Sequence, residues 1–102
     1  MPRMDDPAAA LARLRDEIDA IDDAMVRLLA ERVALVLQIG DLKRVAGLAV
    51  HDPAREQRIL QRIAARATDP LDGATVSRVF ERIIEESRRL EQHRAHGPTE
   101  GA

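Results

Sequence analysis

The sequence predicts an all-α chain of three helices, one of them very long, and three observations carry that prediction. Apolar residues recur at helical spacing over three segments. No run alternates with period two for long enough to suggest a sheet. Asp-Pro, a pair suited to opening a helix, occurs at residues 6–7, 52–53 and 69–70, each time ahead of an apolar-periodic segment. At 102 residues the chain is sized for one domain, expected over 7–93, with flexible ends at 1–6 and 94–102.

The first helix is expected from about Pro7 to Ala46, with Gly47 as the residue that ends it. Leu11, Leu14, Ile18, Ile21, Met25, Leu28, Leu35, Ile39 and Leu42 follow an a/d heptad spacing that misses one beat, at Arg32. A helix of that length is ~60 Å long, whereas a compact domain of this size has a radius of gyration of only ~13 Å. The other two helices are too short to cover the whole stripe, so a second copy of the chain is expected, its first helix packed on this one. After the connection GLAVHD, the second helix is expected over about 53–66: Asp52 suits the N-cap and Pro53 the first helical position. A capping box would place Glu third, yet Arg55 stands there and Glu56 follows. The third helix follows ATDPLD, starting near Asp69 or Asp72 and fading near 93.

Composition narrows the function classes. With one Phe and neither Trp nor Tyr, the core is aliphatic and no aromatic platform exists for stacking bases. A net charge of −2, with acids and bases interleaved, leaves no basic footprint, so nucleic acid is not an expected partner. There is no Cys, hence no disulfide and no thiolate chemistry, as suits a reducing compartment. The start MPRMDDPAAA has acids where a signal peptide needs bases, and no window approaches the ~20 apolar residues of a membrane span; a cytoplasmic protein without membrane contact is expected. His93 and His96 read as tail residues, and neither HExxH nor a Gly-rich phosphate loop occurs, so no metal or cofactor is expected.

Charges sit on apolar stripes in all three helices. Arg32 and Lys43 are eleven residues apart, almost three full turns, so they share a face ~16 Å apart along the axis, with Val36 and Ile39 between them. Glu56 heads the stripe that continues through Leu60 and Ile63, and Arg55 lies beside it in line with Ile59. On the third helix Val76, Phe80, Ile83, Ser87 and Glu91 share one face, apolar first and polar last. A Glu continuing a core stripe is costly unless it has a partner. Taken singly, each charge is as easily a register device or a solvated residue. Together they suit a small, oxygen-rich anion, held by positioning and electrostatics without a nucleophile.

In order, LRDEIDAID, LLAERVAL, IGDLKR, HDPAREQRIL and VFERIIEES, from about Leu11 to Gln92, resemble the all-helical, AroQ-type (type II) chorismate mutases. The resemblance implies an intertwined homodimeric helical bundle with two equivalent sites. It also implies rearrangement of chorismate to prephenate on the route to Phe and Tyr, with no cofactor. It implies that Arg15 reaches into the partner chain's site to hold one substrate carboxylate, while Arg32 holds the other from within the chain. Lys43 would face the ether oxygen whose bond breaks, Glu56 would accept from the substrate hydroxyl, and Asp52, Arg55 and Ser87 would line the pocket. One point is independent of the resemblance: Arg15 and Arg32 are seventeen residues apart, ~25 Å along one helix, too far for both to grip one small diacid unless two helices pair antiparallel.

The register set by Ser87 places Glu91 where many bacterial members carry a Gln that donates to the ether oxygen. A carboxylate cannot donate, so Glu91 must be protonated to take that role, and activity is expected to fall as pH rises. Gln92, ~100° round the helix, is the poorer substitute. Two other readings remain: an isochorismate-pyruvate lyase of the same fold, from which HDPAREQ differs, and a non-catalytic helical dimer that binds an anionic effector. A stand-alone enzyme is the default, and regulation would come from the site itself or from a docked partner such as another shikimate-pathway enzyme.

Overall fold

Each helix starts where an Asp side chain accepts from a backbone N–H that the helix itself leaves without a partner. In the computed structural model, which describes residues 6–96, Asp6 Oδ1 accepts from the Ala8 N–H at 3.1 Å and opens α1 (Pro7–Ala46). Asp52 Oδ1 accepts from the Arg55 N–H at 3.0 Å and opens α2 (Pro53–Ala65), with Pro53 at the first position as expected. Asp72 Oδ1 accepts from the Thr75 N–H at 2.7 Å and opens α3 (Gly73–His96). Of the two candidate starts for α3, Asp72 is therefore the cap. Asp69-Pro70 instead lies in the connecting turn, with a cis peptide bond.

The end of α1 is a glycine stop. Gly47 has φ of 72°, its N–H donates to the Arg44 carbonyl at 3.2 Å, and the Leu48 N–H donates to the Lys43 carbonyl at 2.8 Å. This crossed pair of bonds needs a left-handed residue at its centre, a conformation that costs glycine nothing. The expected end at 93 falls three residues short, because α3 continues to His96; residues 1–5 and 97–102, and the flexible ends expected there, lie outside the described residues.

The chain divides into two compact parts, one up to Ala34 and one from Leu35 onward. The first is the larger share of α1, and its heptad residues Leu11, Leu14, Ile18, Ile21, Met25 and Leu28 are all exposed. In the second part α2 packs along α3. Ile84 is the buried apolar residue there, and Ile59, Leu60, Ile63, Val76, Phe80 and Ile83 are half-buried. The last turns of α1 join α3 through Asp41, whose Oδ2 accepts from Arg94 Nη2 at 2.8 Å and whose Oδ1 accepts from Arg44 Nη2 at 2.6 Å. Among the described residues no helix is long and apolar enough to cross a membrane.

Candidate active site

Six of the eight residues singled out from sequence belong to the second part, and a path of contacts and short stretches of chain runs past most of them. It begins on α3 with Glu91, buried at 9% exposure although it carries a carboxyl group. The Glu91 side chain lies against Gly40 of α1. Lys43, three residues on and on the same face of the helix, is half-buried and donates from Nζ to the Val50 carbonyl at 3.3 Å. Val50 leads into Asp52, the cap of α2, and one turn into that helix stands Glu56. Glu56 Oε1 accepts from Arg88 Nη2 at 2.6 Å, which returns the path to α3 beside Ser87.

Each member is placed by ordinary local rules. Asp52 lines this end of α2 because it is its cap, so the residues that follow it, Arg55 and Glu56, are presented at the helix start. Glu56 is half-buried, and its second oxygen lies 3.7 Å from His51 Nε2. Arg55 is exposed. Ser87 is buried, and its hydroxyl donates to the Ile83 carbonyl of its own helix at 2.8 Å, which lets a polar residue continue an apolar stripe. Arg15 and Arg32 belong to the first part, where Arg15 is exposed and Arg32 half-buried on α1.

Sequence reasoning missed Arg88. It stands four residues after buried Ile84, so that face of α3 ends in a cation just as the neighbouring face ends in Ser87 and Glu91. Extending the stripe by one position would have found it. Its partner Glu56 is 32 residues away, which no spacing rule within one helix can reveal.

A shallow groove between α2 and α3 is lined by Pro53, Leu60, Ile84 and the Glu56–Arg88 pair, with Glu81 and Glu85 on its rim. Three carboxylates against one guanidinium make it a poor seat for a dianion. Further along α3 the buried Glu91 side chain lies against Gly40 of α1, one helical turn before Lys43.

The described residues are all-helical or in short connections, and the singled-out side chains include a lysine on α1, the α2 cap Asp52 and a buried acid on α3. The comparisons give the family. The model for chorismate mutase type II matches residues 14–92, and the chain belongs to that family. It is 31% identical over 83 residues to the chorismate mutase of Methanocaldococcus jannaschii, covering 80% of this chain and 84% of that one. It is 47% identical over 53 residues to the bifunctional chorismate mutase/prephenate dehydratase of Aquifex aeolicus, covering 52% of this chain and spanning 15% of that much longer protein. The chorismate mutase of Helicobacter pylori, solved in complex with prephenate, superposes with a TM-score of 0.75 at 31% identity, over 82% of this chain and 91% of that one. These matches favour neither the lyase nor the non-catalytic dimer.

Proposed function

We propose that the chain rearranges chorismate to prephenate in the cytoplasm, as a homodimer with two equivalent sites. The observation that supports this reading is the buried Glu91 carboxyl group, packed against Gly40 one helical turn before Lys43, within the span that matches the family.

The reaction is a concerted rearrangement: one C–O bond breaks as one C–C bond forms, with no covalent intermediate on the protein. The site's first task is to hold the dicarboxylate in the folded conformer that brings the ends of the reacting system together, and most of the entropy of activation is met there. Arg32 grips one carboxylate and the partner subunit's Arg15 the other. Glu56, oriented by Arg88 at 2.6 Å, accepts from the ring hydroxyl, while Asp52, Arg55 and Ser87 line that end. The second task is to stabilise negative charge on the ether oxygen as its bond to carbon lengthens. Lys43 donates there, and the Glu91 carboxyl group is the second donor in this reading. Because the charge is larger in the transition state than in the bound substrate, these donors act mainly on kcat.

The test is chorismate disappearance with product identification across pH, for wild type and Glu91→Gln. Prephenate forms faster at low pH in wild type, and the variant, whose amide donates at any pH, loses that dependence. A pH-independent wild-type rate contradicts the role given to Glu91. No turnover at any pH by a folded dimer contradicts the activity.

A further inference from the structure

Gly40 lies in the body of α1, where glycine is a poor choice because it loses more backbone freedom than alanine and adds no packing. Something must need the missing side chain, and the neighbour is Glu91. A Cβ built on Gly40 would stand 2.9 Å from Glu91 Cδ and 3.2 Å from its Cγ, and would overlap its Oε2. These three nearest atoms all belong to one flexible side chain, and none to backbone. An added methyl therefore need not part the helices; it evicts the carboxyl group. Asp41, the next residue, holds Arg94 at 2.8 Å, so consecutive positions of α1 engage successive turns of α3 and keep the two helices in register here. Lys43 lies on the same face of α1 as Gly40.

We propose that Gly40 is a positioning residue: the space left by its absent side chain is a slot that seats the Glu91 carboxyl group beside Lys43, aimed at the reacting oxygen. This rests on the reading of Glu91 as the second donor to the ether oxygen. It makes glycine at 40 and a long hydrogen-bonding side chain at 91 a linked choice, since either without the other leaves an empty slot or a displaced donor.

The experiment is kcat and KM for chorismate in wild type, Gly40→Ala, Glu91→Ala and the double variant, together with a crystal structure of Gly40→Ala. Gly40→Ala is expected to lower kcat by about tenfold or more, close to the loss in Glu91→Ala, with KM changed less than about threefold and no further loss in the double variant. Its crystal structure is expected to show the Glu91 carboxyl turned out of the slot. Losses that multiply in the double variant, a wild-type rate for Gly40→Ala beside a slow Glu91→Ala, or an unmoved carboxyl would each overturn the slot while leaving Glu91 as donor. A wild-type rate for Glu91→Ala would overturn the donor reading, and this proposal with it. If Gly40→Ala does not fold, a folded double variant supports the slot and an unfolded one refutes it.

Discussion

Lys43 has a part in the fold and, in the proposed function, a part in the chemistry. Its ammonium donates to the Val50 carbonyl at 3.3 Å, which ties the end of α1 to the connection leading into α2. An ammonium has three N–H groups, so that bond leaves donors to spare for a substrate oxygen. Removing a donor aimed at developing charge typically costs ~3 kcal/mol, so Lys43→Ala should lower kcat by about a hundredfold or more, with a smaller rise in KM. Steady-state kinetics on a folded variant checks this, and a near-normal kcat would contradict the assignment. At this scale the sequence was readable wherever a charge interrupted an apolar stripe: Glu91 and Ser87 stood out on α3, and both are buried. Gly40 did not stand out, because nothing in its local sequence shows that a side chain from another helix occupies its missing volume. The pairing of Arg88 was hidden for the same reason, its partner Glu56 standing on another helix.

Helix ends were the most legible elements, since a cap is a local event. Asp52-Pro53 and Gly47 act as their residue types predict, and α1 and α2 begin where expected. The third Asp-Pro misled on half of the α3 start, because Asp69 and Asp72 both have the right chemistry and only the path of the turn separates them. The clamp between helices was not legible at all: Asp41 and Arg94 are 53 residues apart. Hydrogen bonds from Arg94, and then from Arg44, hold the Asp41 carboxyl below the usual carboxylate range. A carboxylate with a lowered pKa in the folded state stabilises the fold at pH values above its unfolded pKa, and that contribution fades as pH falls through the folded one. Asp41→Asn should therefore lower the urea midpoint modestly at neutral pH, the bridge being exposed, and converge with wild type as pH falls below ~4. A difference of the same size across that range would contradict the role of the ion pairs.

For the whole molecule, the decisive feature is what one chain leaves uncovered. Leu11, Leu14, Ile18, Ile21, Met25 and Leu28 are exposed in the first part, Leu35, Ile39 and Leu42 are exposed in the second, and Ile84 is the buried apolar residue among those described. So much exposed aliphatic surface on a small chain supports the proposed homodimer, in which a twin helix would cover the heptad stripe. The exposure of that stripe was visible in the sequence, because a helix of ~60 Å cannot be wrapped by two short ones. In the proposed dimer each site is shared, and spacing indicates this only at Arg15 and Arg32, which are too far apart on one helix to grip one small diacid. Subunit mixing tests that sharing, and with it the central claim, most directly. Arg15→Ala and Lys43→Ala chains, each nearly inactive alone, are unfolded together, refolded, and assayed for prephenate formation. Random pairing makes about half of the dimers hybrids, each with one intact and one doubly defective site, so the mixture should recover about a quarter of wild-type activity. No recovery above the two separate variants, in refolded dimers, would contradict a site built from both chains.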